Sequence, residues 1–259
     1  MPQVAPALRT VSRRALLCLL ALVAISLGLR SPAIGEPLPL EGERGAVQTL
    51  TATAPACSRP APTTAQGYAA MLAAVPQDQW GAADLSISVP APDGRVVWLY
   101  GDTLSTRGFR HSSAIVQTDG CLHVANGGEQ LLPGEDPTRI YWLESGRFLD
   151  ADTLEVRARM VRLTGTGPWD FRDGGYARTA TFTVLPSGDL LFEHWSQPLV
   201  SPAPLYALGD GERHHVGFAR HTHPWARLAS GRTLTTTAQN WDDGVRRSFA
   251  HYRPLYTEG

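Results

Sequence analysis

The alternation of apolar and polar positions predicts a β-hairpin over residues 80–103. Residues 85–90 read Leu-Ser-Ile-Ser-Val-Pro, and this period of two is typical of a half-buried strand. Asp93-Gly94 supplies the backbone conformation of a tight turn. A second apolar strand follows the turn and is expected to end at Gly101-Asp102. The hairpin would therefore place the two carboxylates of Asp84 and Asp102 at the ends of adjacent antiparallel strands.

The remainder of the chain predicts a succession of short strands separated by turn signals. The expected strands are 113–117, 121–125, 139–143, 154–163, 179–185, 190–194, 215–220, 232–239 and 248–252. One short helix is expected at residues 67–75, and no sustained helical periodicity follows it. This density of strands predicts an all-β fold. Residues 68–259 would divide into five blades of about 38 residues, which fits a five-bladed β-propeller, with a jelly-roll β-sandwich as the alternative.

The first 35 residues have the pattern of an export signal. An apolar run covers residues 15–29, directly after Arg13-Arg14, and no acidic residue precedes Glu36. The run is shorter than the roughly 20 residues that span a bilayer, so a cleaved signal is favoured over an uncleaved anchor. The paired arginines fit a twin-arginine signal as well as an ordinary secretory one. Residues 36–66, rich in Pro, Thr and Ala, predict a flexible spacer before a domain at 67–259.

Net charge and cysteine content exclude several kinds of chemistry and binding partner. The net charge is −1 and every basic residue is arginine, which excludes lysine Schiff-base chemistry and a P-loop. Loss of the leader would remove four arginines and no acid, so a nucleic-acid partner is not expected. Cys18 lies in the leader; Cys57 and Cys121 remain and predict one disulfide in an oxidising compartment, with two free thiols as the alternative. We expect an exported monomer without a stable membrane span and without a cofactor.

The hairpin also resembles a known family. The residues that carry the resemblance are Trp80, Asp84, Ser88, Asp93-Gly94-Arg95 and Trp98-Leu99-Tyr100-Gly101-Asp102-Thr103. They resemble the opening blade of secreted bacterial five-bladed β-propeller domains of unknown function, although Ala82, Ala83 and Leu85 replace glycines of that pattern. Such domains are distantly similar to propeller glycoside hydrolases. The resemblance implies an axial pocket, with Asp84 at the start of an inner strand.

Paired carboxylates are the working groups of sugar-cleaving enzymes, so the acids are the catalytic candidates. Asp84 would be the base or nucleophile, and Asp102 lies on the neighbouring strand. Glu144, beside Tyr141-Trp142, or Glu193, beside His194, would be the proton donor, because an apolar wall raises the pKa of a glutamate. The alternatives are structural: Asp84 and Asp102 as turn caps, and Glu144 in a solvated turn.

Other side chains would bind the ligand. The candidates are Trp142, Arg178, His194, His221, Gln239 and Asn240. His221 and His223 share a strand face but have no third ligand at a recognisable spacing, so no metal site is expected. The sequence thus predicts an exported carbohydrate-active protein that acts on a polysaccharide or glycoconjugate. A non-catalytic glycan- or protein-binding module and a purely structural envelope protein are the alternatives.

Overall fold

Antiparallel β-sheet dominates the computed structural model, which describes residues 56–57, 61–163, 171–197, 199–200, 220–237 and 252–259. The strands are β1 Ala56–Cys57, β2 Ala82–Pro90, β3 Val96–Ser105, β4 Gly108–Arg110, β5 Ser113–Thr118, β6 Cys121–Val124, β7 Arg139–Phe148, β8 Thr153–Leu163, β9 Phe171–Val184, β10 Leu190–Trp195, β11 Leu199–Val200, β12 Arg220–Arg227, β13 Thr233–Thr237 and β14 Leu255–Glu258. The all-β prediction is confirmed. The predicted leader lies outside the described residues.

One α-helix, α1, occupies Ala65–Ala73, two residues earlier than the predicted helix. Thr64 is its N-cap, and its side chain accepts a 3.0 Å hydrogen bond from the backbone N–H of Gly67, which satisfies one donor of the open first turn. Tyr68, Met71 and Leu72 form the buried face of α1. Within the described residues, no helix is long and apolar enough to cross a membrane.

The first sheet, sheet A, has the strand order β1-β6-β5-β3-β2, with β4 paired to the far end of β3. Strand β3 continues to Ser105, so the predicted end at Gly101-Asp102 is wrong. The reason is that β4 supplies new backbone partners for residues 103–105. Cys57 lies opposite Cys121 in the β1–β6 ladder, and the two form the predicted disulfide. The disulfide ties the segment before α1 to the edge of sheet A.

Two further sheets complete the described architecture. Sheet B has the order β10-β9-β8-β7, with β11 also paired to β9, and sheet C has the order β12-β13-β14. Strand β12 runs through Pro224. Its ladder with β13 is irregular between His223 and Arg227, and an irregular ladder is a place that tolerates proline.

Sheet A is buried on both faces, because alternate residues of β3 enter two separate cores. Val97 and Leu99 pack with residues of sheet B, including Leu154 and Val156. Val96, Trp98 and Tyr100 pack instead with α1 and with Ala226, Leu228 and Leu234 on the sheet C side. Sheet C, last in the chain, therefore lies against sheet A, the first.

Buried polar contacts fix the position of sheet C on strand β2. The Ser88 hydroxyl lies 2.5 Å from His223 Nδ1 and accepts a 2.7 Å hydrogen bond from Trp225 Nε1. His223 Nε2 lies 2.8 Å from the Thr236 hydroxyl. His223 is fully buried, and burial together with the charge of His221 lowers its pKa to about 4. The neutral imidazole thus links the first and last sheets.

Candidate functional site

A double irregularity in the β2–β3 ladder positions Asp84. The register shifts between Ala83 and Leu85 and again between Leu85 and Ile87. Leu85 and Ser86 both have left-handed backbone, with φ of 66° and 81°, which costs about 1–3 kcal/mol for a residue other than glycine. Bulges of this kind re-aim side chains next to functional sites. Here the bulge directs the Asp84 carboxyl toward Gly101 and Asp102 on β3.

Gly101 provides the space that this arrangement needs. A Cβ at position 101 would collide with Asp84 Oδ1 and would lie 3.0 Å from Leu85 Cδ1. The carboxyl of Asp84 is therefore seated directly on the backbone of β3. Thr103, two residues further on, donates a 2.7 Å hydrogen bond to the carbonyl of Gly101 and bonds the Ser113 hydroxyl at 2.7 Å. These buried contacts hold the strand segment that carries Asp102.

The Asp84 carboxyl is buried against a second carboxyl. Its Oδ2 accepts a 2.9 Å hydrogen bond from the hydroxyl of Tyr252, a fully buried residue just before β14. The backbone N–H of Asp102 also donates to it. Burial and the charge of Asp102 nevertheless outweigh both donors and raise the pKa of Asp84 well above its usual value. Asp84 therefore keeps its proton to a higher pH than an ordinary aspartate does.

Asp102 is paired with a histidine from the loop between β4 and β5. His111 Nδ1 lies 3.1 Å from Asp102 Oδ1. Burial alone would lower the pKa of His111, but the hydrogen bond to Asp102 and the charges of Asp102 and Glu135 raise it above its ordinary value. The imidazole also packs edge-on against Phe109, with ring centroids 4.8 Å apart. Asp102 is thus held between a buried acid and a basic ring.

Glu135 is the third acid of the cluster. It lies in the loop before β7, and its Oε1 accepts a 2.7 Å hydrogen bond from the backbone N–H of Tyr141. Burial raises the pKa of Glu135 to about 7, the charge of Asp102 acts in the same direction, and the Tyr141 N–H and His111 oppose the rise. Asp84, Asp102, His111, Glu135 and Tyr252 are called the acid cluster below.

The structure brings together two of the predicted catalytic residues, Asp84 and Asp102. It gives Glu144 other partners: its two oxygens accept hydrogen bonds from Arg157 Nε at 2.8 Å and from Arg159 Nε at 2.5 Å. Glu193 is exposed on β10 and accepts a 2.8 Å hydrogen bond from the Thr183 hydroxyl. In the described ranges, no hydrogen bond or ion pair links Glu144 or Glu193 to the acid cluster.

The predicted ligand-binding residues are dispersed over sheets B and C. Arg178 lies over the ring of Trp195, 4.9 Å from its centroid, and donates to the carbonyl of Ser196 at 3.2 Å. Trp142 is partly buried on β7, opposite Arg159, and His194 is exposed on β10. His221 is on β12, and burial lowers its pKa. Gln239 and Asn240 lie outside the described residues.

Sequence reasoning missed His111, Glu135 and Tyr252. His111 and Glu135 lie in loops, where no periodicity marks a side chain that points into a site. One signal for Glu135 was present, since Pro133-Gly134 and Pro137 place it in a turn shortly before the aromatic pair Tyr141-Trp142. Nothing local singles out Tyr252, because its partner Asp84 is 168 positions away.

The acid cluster has the chemistry of general acid–base catalysis. It combines a buried acid with a raised pKa, a carboxyl paired with histidine and a glutamic acid whose pKa is about 7. Titratable groups whose surroundings push their pKa values apart are the usual proton donors and proton acceptors of such reactions. In the part of the chain that the structure describes, no group of three or more His, Cys, Asp or Glu side chains is arranged to hold a metal ion.

Comparisons with known proteins give distant similarities. No family model matches the chain. The chain is 26% identical over 168 residues to notoamide biosynthesis cluster protein J of Aspergillus sp. (strain MF297-2), a match that covers 61% of this chain and 36% of the fungal protein. The chain thus spans about a third of the length of that relative. The crystal structure of a "putative hydrolase" from Bacteroides ovatus aligns over 74% of this chain and 88% of its own, with a TM-score of 0.42 and 12% identity.

Proposed function

We propose that this protein is an exported glycoside hydrolase whose acid cluster cleaves a polysaccharide or glycoconjugate. The observation that carries the proposal is the convergence of Asp84, Asp102 and Glu135 at one place. Two of these acids have raised pKa values. Acids that gather at one place and have raised pKa values favour a catalytic site.

The fold that we propose for this site is a five-bladed β-propeller. Three features support it: sheet A lies between sheets B and C, the last sheet packs on the first, and the acid cluster draws residues from all of these regions. In a propeller, the inner strands of separate blades present side chains to one axial pocket. The described sheets would account for three of the blades.

Glu135 is the proton donor in this proposal. Its pKa of about 7 keeps a large share of the carboxyl protonated near neutral pH while leaving it acidic enough to release the proton. It is also only partly buried, in contrast to Asp84 and Asp102. Glu135 therefore takes the role that the sequence suggested for Glu144 or Glu193.

Asp102 is the nucleophile or base, and Asp84 is its positioning partner. Two adjacent buried carboxyls cannot both ionise easily, so one proton stays on the pair. The raised pKa of Asp84 places that proton on Asp84, and His111 holds Asp102. In the reaction, Glu135 would protonate the glycosidic oxygen while Asp102 attacks the anomeric carbon or activates a water molecule.

The test is hydrolysis of a panel of polysaccharides and aryl glycosides by the secreted domain and two variants. Glu135→Gln should lower the rate on polysaccharides by about 10²–10⁴-fold. It should spare aryl glycosides with a good leaving group, because those need little protonation. Glu144→Gln is the matched control, since Glu144 is bound by Arg157 and Arg159, and it should keep the wild-type rate.

Asp102→Asn should abolish hydrolysis of both substrate types, because the nucleophile or base is required whatever the leaving group. Equal activity of wild type and Asp102→Asn would refute the catalytic assignment. If wild type binds glycans or a protein partner but cleaves nothing in the panel, the protein is a non-catalytic binding module instead.

A further inference from the structure

A set of hydrogen bonds fixes the backbone of the loop that carries His111. Its backbone N–H donates a 2.9 Å hydrogen bond to Gln130 Oε1. The same amide group of Gln130 donates from Nε2 to the Ser112 hydroxyl at 2.5 Å. Ser112 is fully buried and also accepts the backbone N–H of Leu132 at 3.2 Å. The loop that carries His111 is thereby fixed to the loop that leads to Glu135.

This scaffold brings one basic side chain to two acids of the cluster. Nδ1 of His111 meets Asp102 at 3.1 Å, and Glu135 is close enough to interact with the imidazole through its charge. The neighbouring cation, Arg110, forms an ion pair with Glu129 at 3.3 Å and donates a hydrogen bond to the carbonyl of Phe109. Within the described ranges, His111–Asp102 is therefore the only ion pair of the acid cluster.

We propose that His111 is a positioning residue of the acid cluster: its imidazole, hydrogen-bonded to Asp102, orients that carboxyl and balances the negative charge of Asp102 and Glu135. This inference rests on the proposed hydrolase function and deepens it. His111 acts through the two acids and does not itself attack or protonate the substrate. The charge balance matters because the negative charges of Asp102 and Glu135 repel each other in a medium of low dielectric constant.

The charged side chains that face His111 determine how the titration of the acid cluster should change when the imidazole is removed. They are Asp102 from β3 and Glu135 from the loop before β7, with Phe109 against the ring as an uncharged neighbour. Removal of the imidazole takes a positive charge from between the two acids. The pKa of Glu135 should then rise, because its charged form loses an attractive partner.

The first experiment follows the His111 imidazole proton signals by NMR from pH 4 to 9, which requires no activity. His111 should titrate above the ordinary value of a histidine in wild type, and Asp102→Asn should lower its midpoint by about one pH unit. His123 is the internal control, because it is paired at 2.9 Å with Asp189 outside the acid cluster. The chemical shifts of its ring protons at pH 7 should be the same in wild type and in Asp102→Asn. An unchanged midpoint for His111 in Asp102→Asn would overturn the proposal.

The second experiment compares the pH dependence of kcat/KM in wild type, His111→Gln and His123→Gln. Loss of the charge in His111→Gln should move the alkaline limb of the profile, which Glu135 sets, upward by about one pH unit. A residue that only supports the loop would lower the rate at every pH and leave the limbs in place, and that result would overturn the proposal while leaving the hydrolase function intact. If wild type hydrolyses no glycoside, the proposed function fails, whereas the NMR result still decides whether His111 balances the charge of Asp102.

Discussion

The hydroxyl of Tyr252 donates a 2.9 Å hydrogen bond to Asp84 Oδ2, joining two residues that are 168 positions apart in the chain. Asp84 belongs to the first hairpin of sheet A, and Tyr252 lies three residues before the last strand of sheet C. The bond therefore joins the two ends of the described domain at the acid cluster. It also orients the Asp84 carboxyl.

Loss of this hydroxyl in Tyr252→Phe should destabilise the protein by about 1–2 kcal/mol, because Asp84 keeps its burial and loses a donor. Urea unfolding followed by tryptophan fluorescence measures the change. The matched controls are Asp84→Asn and the double variant. If the two residues are coupled, the double variant should lose less stability than the sum of the single variants, and simple additivity would contradict a direct coupling.

Gly101→Ala should disrupt the acid cluster, because the new methyl group would collide with Asp84 Oδ1. Overpacking at such a buried position costs about 1–3 kcal/mol. The same substitution in an Asp84→Ala background should cost less, since the colliding oxygen is gone. Thermal unfolding of the four proteins provides the comparison, and an equal cost in both backgrounds would show that the collision lies elsewhere.

The β2–β3 hairpin shows how far the sequence predicts this site. The alternation of apolar residues and the Asp93-Gly94 turn predicted both strands and brought Asp84 beside Asp102. The sequence did not predict the left-handed backbone at Leu85 and Ser86, because these residue types disfavour it and only tertiary packing imposes it.

His111 and Glu135 escaped prediction for a different physical reason. Each lies in a loop, and their proximity to Asp102 depends on the Gln130–Ser112 hydrogen bond that fastens one loop to the other. The pattern of residues along the chain does not reveal a hydrogen bond between two loops. Glu144 became a catalytic candidate because aromatic residues precede it in the sequence. In the structure, its carboxylate forms ion pairs with two arginines on the neighbouring strand.

Acid should destabilise the contact between sheets A and C through His223. In the folded protein its pKa is about 4, and in the unfolded chain it is near 6.5. The unfolded state therefore binds more protons between these values, so stability falls as the pH drops from about 6.5 toward 4. Urea midpoints at pH 7 and 4.5 measure the loss, which should be a few kcal/mol for this one group. His223→Gln should show a smaller loss, while the exposed His194→Gln should behave as wild type.

The Cys57–Cys121 disulfide closes a segment of 64 positions. Its removal in the double variant Cys57→Ser, Cys121→Ser should cost about 2–4 kcal/mol, mainly by freeing the unfolded chain. The secreted protein, after loss of the predicted leader with Cys18, should also react with no thiol-specific label until it is reduced. Because the disulfide lies at the opposite edge of sheet A from β2, the variant should keep its rate of hydrolysis at a temperature where it remains folded.

The pH dependence of the proposed reaction should follow Glu135 on its alkaline side. The donor works only when protonated, and its pKa of about 7 means that the protonated fraction falls as the pH rises through 7. The rate on a polysaccharide should therefore decline above about pH 7, tenfold for each further pH unit. An aryl glycoside with a good leaving group should lack this decline, and so should Glu135→Gln, whose residual rate has no donor to lose. A polysaccharide profile that stays flat to pH 9 in wild type would exclude Glu135 as the donor and return that role to another acid of the cluster.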